Sequence, residues 1–175
     1  MIFIQNLFLN SKNLIRLLFQ YIILFFSFLF FLSLLSQAQA KDFTQTQRII
    51  STSPSITEIL FELGLKDRIV AVTDFCIYPK EACILESIGG VLNPDIETIV
   101  SLSPDLIILQ SDSAKLEKNF ARLRIPTFSI KVETISDIFK SINRLGKALN
   151  CQERAEKLIL SLKEKINILK KRVAG

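Results

Sequence analysis

Two hydrophobic patterns divide the chain. From Leu17 to Leu35 nineteen residues run without a charge. Beyond residue 40 the apolar residues instead fall into short runs and helical stripes. Four β-rich runs recur, Ile49–Thr52, Ile69–Val72, Leu106–Leu109 and Thr127–Ile130. Each is apolar in mid-run, as expected of strands covered on both faces. Helical patterns lie between them. Ser55-Ile56-Thr57-Glu58 reads as a capping box, in which Ser55 takes the Glu58 amide and the Glu58 side chain reaches back. The helix it opens runs through Ile59, Leu60 and Leu63, and Gly64 supplies a left-handed stop. Asn93-Pro94-Asp95 offers a second start, with acid in the first turn, and that helix must end before Ser103-Pro104. A third helix is predicted over Ser113–Leu123.

Thr134-Ile135-Ser136-Asp137 caps a further helix that carries Ile138, Ile142 and Leu145 on one side. Asn150-Cys151-Gln152-Glu153 then opens a last one. Its stripe of Ala155, Leu158, Ile159, Leu162, Ile166 and Leu169 keeps the 3.6-residue period over about 20 residues, about 30 Å. Lys170, Lys171 and Arg172 suit the negative end of its dipole. Strand and helix in alternation with short connections predict an α/β fold, a parallel sheet of about four strands with right-handed crossovers, ending in a long helix.

The uncharged run is a different object. Lys12 and Arg16 precede it and Ser36-Gln37-Ala38-Gln39-Ala40 follows it. Basic flank, apolar run and small-x-small describe a secretory signal cleaved after Ala40, so that the mature chain starts at Lys41. The alternative is an uncleaved anchor, because 19 residues suffice to span the hydrocarbon core. No Cys lies near the cleavage site, which argues against a lipid anchor and for a Gram-negative periplasm. The expected organisation is a signal over 1–40, an α/β lobe over 41–149 and a terminal helix over 150–175.

Composition narrows the function. The whole chain has a formal charge of +5, from 22 Lys and Arg against 17 Asp and Glu. Removing Lys12 and Arg16 with the first forty residues leaves 20 against 17, or +3. A nucleic-acid binder is not expected at that balance. The chain has no His, which excludes His-based triads, His-ligated zinc or haem, and His general bases. Export would place Cys76, Cys83 and Cys151 in an oxidising compartment. The Cys76–Cys83 spacing permits a disulfide across a short turn, and two half-buried free thiols are the other reading.

Ligands of open parallel sheets bind beyond the carboxyl ends of the strands. That rule selects Ser53-Pro54-Ser55, Thr73-Asp74-Phe75-Cys76, Gln110-Ser111-Asp112-Ser113 and Lys131-Val132-Glu133, with Gly89-Gly90-Val91-Leu92 approaching the same edge. These loops offer hydroxyls, an amide, one ring and a few carboxylates. There is no nucleophile elbow, no Gly-rich phosphate cradle and no cluster of acids at the end of the first strand. An enzyme is not expected, nor is a resident metal or cofactor.

The residues do resemble a known family. Arg48-Ile49-Ile50-Ser51-Thr52-Ser53-Pro54-Ser55-Ile56-Thr57-Glu58 looks like the opening of the helical-backbone ABC-transporter solute-binding proteins, which carry cobalamin, iron–siderophore complexes and haem. The likeness continues through Arg68–Cys76 with Tyr78-Pro79, through Gly89-Gly90 and Asn93-Pro94-Asp95, and through Leu102-Ser103-Pro104-Asp105-Leu106-Ile107-Ile108. The resemblance implies two α/β lobes joined by one long helix, with the ligand in the cleft between them. The helix from Asn150 matches the connector, and only the first lobe precedes it, so the expectation is a truncated or single-lobe product. Carried over residue by residue, Pro54 and Ser55 lie at the cleft, with Asp74 beside them, and Phe75 stands where an aromatic stacks on the ligand. Val91 and Gln110 lie near where cobalamin binders place further aromatics. Thr73-Asp74-Phe75-Cys76 with Tyr78-Pro79 resembles the cobalamin-type members. The resemblance also implies docking on an ABC permease through a surface acid, with Glu117 the candidate and Asp112 the alternative. The expected function is thus a periplasmic importer component for cobalamin or a related metal chelate. The competing reading is a single lobe, anchored through 17–35, that interacts without holding a ligand. An uncovered terminal helix would leave Leu162, Ile166 and Leu169 free for self-association.

Overall fold

A computed structural model describes residues 20–27 and 43–173. The chain divides into two compact units, residues 1–40 and 41–175. In the first, residues 20–27 are helical (α1). Among the described residues no helix is long and apolar enough to cross a membrane. Most of the 17–35 run and the expected cleavage site at Ala38–Lys41 lie outside the described residues.

The second unit runs β1 (Ile49–Ser51), α2 (Pro54–Glu62), β2 (Ile69–Val72), β3 (Glu86–Ser87), α3 (Ile96–Ser101), β4 (Leu106–Gln110), α4 (Ala114–Arg122), β5 (Thr127–Ile130), α5 (Ile135–Ala148) and α6 (Gln152–Val173). The sheet is parallel throughout, in the order β3-β2-β1-β4-β5. It therefore has five strands where the sequence predicts about four. The fifth, β3, is only Glu86–Ser87 and pairs with Ala71 and Val72. Two exposed polar residues at a sheet edge carry no hydrophobic signature, so the pattern alone could not reveal them.

Alternation along the strands sorts the core into two layers. Ile49, Ile69, Leu106 and Ile108 face one side with Ile56, Leu60, Ile142 and Leu145 of α2 and α5. Ile50, Ala71, Ile107 and Leu109 face the other with Ile99 and Phe120 of α3 and α4. Both faces are sealed, which explains why the strands read as continuous apolar runs. Each fully buried Ile or Leu contributes about 1.5–3 kcal/mol relative to exposure.

Two helix starts differ from the sequence reading. α2 begins at Pro54, with Ser53 in the cap position and no side-chain cap bond. Ser55 is therefore already helical, and Pro54 takes the first position because its absent N–H is no loss there. α3 is capped by Asp95 rather than Asn93, its carboxylate accepting from the Glu97 and Thr98 amides. An antiparallel bridge between Gly89 and Pro94 closes a bend over residues 91–93 just before that cap. Thr134 caps α5 as expected, accepting from the Asp137 amide. Asn150 turns the chain at φ 55° between α5 and α6.

The three cysteines are free, so the Cys76–Cys83 disulfide permitted by the spacing is not formed in this structure. The chain turns the two sulfurs apart. Cys76 is buried with Sγ 3.2 Å from both Thr57 Oγ1 and Thr73 Oγ1. Cys83 is exposed in a 3-10 turn and donates to the Ile77 carbonyl at 3.5 Å.

Candidate functional site

The strand order places a topological switch between β1 and β4. From β1 the chain moves outward through β2 to β3, then returns to the other side of β1 through β4 and β5. A crevice opens at the carboxyl ends of the two strands flanking such a point. Here those ends deliver Ser53-Pro54-Ser55 and Gln110.

A run of hydroxyls fixes the first loop. Thr52 Oγ1 donates to the Ile108 carbonyl at 2.9 Å, tying the end of β1 to β4. Ser51 Oγ and Thr57 Oγ1 lie 2.7 Å apart, and Thr57 Oγ1 also reaches the Ser53 carbonyl at 3.1 Å. Ser51, Thr52, Ser53 and Thr57 are all buried, and every buried side-chain polar atom among the described residues has a partner. The loop is thus held before any ligand arrives. Gln110, half-buried at the end of β4, donates through Nε2 to Ser53 Oγ at 3.3 Å and Ser55 Oγ at 3.2 Å. The two serine hydroxyls are themselves 3.2 Å apart. The structure therefore brings Ser53, Ser55 and Gln110 into one polar cluster around Pro54, with the side-chain Oε1 of Gln110 left as an acceptor. Among the described residues none of these hydroxyls is paired with a general base.

Phe75 and Asp74 follow β2, which pairs directly with β1. Parallel pairing puts them at the same edge as Ser55 and Gln110. Phe75 is 61% exposed, an aromatic face held in solvent beside a polar cluster. Asp74 is engaged in positioning the neighbouring loop. Its amide donates to the Gly89 carbonyl at 3.0 Å, its Oδ1 accepts from the Ser87 hydroxyl, and Ser87 Oγ in turn accepts from the Gly89 amide at 3.0 Å. Gly89 at φ 78° makes that turn, whereas Gly90 needs no positive φ. Val91 is half-buried and lines a cavity of about 380 Å³ with Leu92, Asp112, Ser113 and Lys115. Asp112 lies ahead of α4 and Glu117 in its first turn, both exposed.

Sequence reasoning missed part of the apolar surface here. Ile77 and Tyr78 in the segment after β2 are 76% and 63% exposed, and Leu92 is 85% exposed. The signal for Leu92 was available: a bulky apolar residue in a turn, between Gly89-Gly90 and Asn93-Pro94, has no core to enter. Among the described residues no group of His, Cys, Asp and Glu is arranged to hold a metal ion.

Comparison with known proteins agrees with this architecture. Residues 49–175 match the profile of the periplasmic binding protein family. An ABC transporter substrate-binding lipoprotein of Bacillus subtilis is 34% identical over 124 residues, covering 68% of this chain and 39% of its own. The vitamin B12-binding protein of Vibrio parahaemolyticus is 30% identical over 126 residues, covering 71% and 46%. This chain therefore spans less than half the length of those two relatives. The structure of the periplasmic vitamin B12-binding protein of Vibrio cholerae superposes with a TM-score of 0.66 at 28% identity, over 74% of this chain and 52% of that one. A periplasmic haem-binding protein of Pseudomonas aeruginosa shares the fold, with a TM-score of 0.70 at 20% identity over 74% and 47%. Family profile, strand order and the loops gathered at the switch point coincide, and the chain belongs to the periplasmic binding protein family.

Proposed function

We propose that this chain is a cargo-binding component of an ABC importer, a binding module and not an enzyme, and that its cargo is cobalamin or a related metal chelate. The single observation that carries this reading is the exposed Phe75 ring set at the same sheet edge as the Ser53–Ser55–Gln110 cluster. A broad planar macrocycle with polar side arms asks for that combination: an apolar ring to lie against, and hydroxyl and amide groups to orient it. Relatives named for vitamin B12 binding support cobalamin ahead of haem or a ferric siderophore. The cleft residues in this reading are Pro54, Ser55, Asp74, Phe75, Val91 and Gln110. Asp112 and Glu117, exposed at the start of α4, are the proposed contacts to basic residues of the permease. The site of action is the periplasm.

The test is a competition among cargoes. Cyanocobalamin, haemin and a ferric siderophore are each titrated into the protein while methyl and ring signals are followed by NMR. The expected result is perturbation at Phe75 and Gln110 by cyanocobalamin above the other two, lost in Phe75→Ala. Perturbation by haemin or the siderophore alone would reassign the cargo. Silence at this edge with all three would overturn the reading.

A further inference from the structure

One exposed hydroxyl fastens the loop that carries Phe75 to the turn that carries Val91 and Leu92. β3 is short, yet its last residue, Ser87, bonds in two senses at once. Ser87 Oγ donates to Asp74 Oδ1 and accepts from the Gly89 amide at 3.0 Å. A hydroxyl can do both because it has one proton and two lone pairs. Alongside it, the Asp74 amide donates to the Gly89 carbonyl at 3.0 Å.

Each loop also has bonds of its own, and those do not set one against the other. Beneath Phe75, Cys76 Sγ lies 3.2 Å from Thr57 Oγ1 and from Thr73 Oγ1, and the Cys76 amide donates to the Thr73 carbonyl at 3.0 Å. The opposite turn closes on itself through the Gly89–Pro94 bridge and through the Asp95 amide, which donates to the Ile88 carbonyl at 2.7 Å. The parallel ladder reaches Ile88, whose amide donates to the Val72 carbonyl at 2.9 Å. Past that point, among the described residues, the hydrogen bonds between the two loops run through Asp74: its amide to Gly89 and its carboxylate to Ser87. The turn beyond them is one wall of the 380 Å³ cavity that faces the start of α4.

We propose that Ser87 is a positioning residue of the binding edge: it sets the Val91–Leu92 turn against the Phe75 loop, acting through Asp74 and Gly89 and not through contact with cargo. Its effect on binding rests on the cargo reading, whereas the clamp is a property of the free chain. A turn held in place before cargo arrives has less freedom to lose on binding. Ser87→Ala hands the Asp74 carboxylate and the Gly89 amide to water. Ser87 is exposed, so the core should be untouched by the change. Ser87→Thr keeps the hydroxyl.

NMR on the full chain tests this in two arms. Without cargo, the Gly89 amide of Ser87→Ala should exchange with water about tenfold faster than in wild type. The Val91 and Leu92 methyl signals should move, while the Gln110 side-chain amide and the urea midpoint stay where they are. Ser87→Thr should restore wild-type exchange. With cyanocobalamin, followed at the Gln110 side-chain amide, Ser87→Ala should bind about threefold or more weakly and Ser87→Thr like wild type. Unchanged Gly89 exchange in Ser87→Ala, a threonine variant that behaves like the alanine one, or full-strength cyanocobalamin binding with Gly89 deprotected would each overturn the proposal. Silence of the wild-type chain towards cyanocobalamin, haemin and a ferric siderophore alike would overturn the cargo reading, and the exchange arm would still decide the clamp.

Discussion

At the scale of single residues, the site depends on side chains whose partners are already in place. Gln110 spends its amide protons on Ser53 and Ser55, so Gln110→Leu should leave two hydroxyls to bond only each other and should weaken cargo binding more than it lowers the unfolding midpoint. Asp95 gives a cleaner electrostatic test. Hydrogen bonds from the Thr98 side chain and from the Thr98 and Glu97 amides hold its carboxyl below the ordinary value. The folded pKa is depressed, so the stabilisation is full above the unfolded carboxylate range and disappears as pH falls through the folded value. Urea midpoints measured from neutral pH down through the acid range should fall more steeply for wild type than for Asp95→Asn, and parallel curves would remove Asp95 from the acid transition. Among the thiols, burial pushes Cys151 upward and Cys76 is covered, leaving Cys83 exposed. A thiol reagent at native conditions should label Cys83 quickly and the other two only on unfolding. Fast labelling of two thiols would contradict the burial seen here.

At the scale of elements, the crossing of α5 on α6 is set by one glycine. A Cβ built on Gly146 would stand 2.5 Å from the Ala155 Cβ, with the Cys151 carbonyl oxygen at 3.5 Å. Neither neighbour is a flexible side chain, so the helices must separate. Gly146→Val should cost about 1–3 kcal/mol in urea unfolding. Gly146→Ala combined with Ala155→Gly should recover part of the Gly146→Ala loss, apart from about 1 kcal/mol for a glycine inside α6. Additive losses would mean that the two positions do not touch. The same elements show what was legible from the pattern. The apolar runs identify β1, β2, β4 and β5 because burial on both faces leaves an unmistakable signature, and the stripe of α6 identifies that helix to within a few residues. β3 escaped because its two residues are polar and exposed. The α2 cap was misplaced because Pro54 and Ser55 compete for the same turn, and only the packing of Thr57 under Ser51 decides it. Of the site, the sheet-edge rule finds the loops, but not that Asp74 is occupied by Ser87, because that bond depends on the unpredicted strand.

At the scale of the whole molecule, the described residues offer one sheet edge to the proposed cargo. The family resemblance implies a cargo enclosed between two lobes, and small-molecule sites bury most of the ligand surface. This 175-residue chain presents Ser55, Phe75 and Gln110 from one side. If two sides contribute comparably, one side forfeits about half of the favourable contacts, while the entropy cost of immobilising the cargo stays nearly whole. A nanomolar site is worth about 12 kcal/mol and a millimolar one about 4, so halving the contacts against a fixed cost lands near the weaker figure or below it. The expected outcome for cyanocobalamin is a dissociation constant of about a millimolar or weaker, with Phe75→Ala reducing the already small signal. Calorimetry and equilibrium dialysis on the purified chain measure it directly. Submicromolar binding by a monodisperse monomer would mean that a single edge already forms a complete receptor, and that the hydroxyl–amide cluster and the exposed ring hold cargo without an opposing wall.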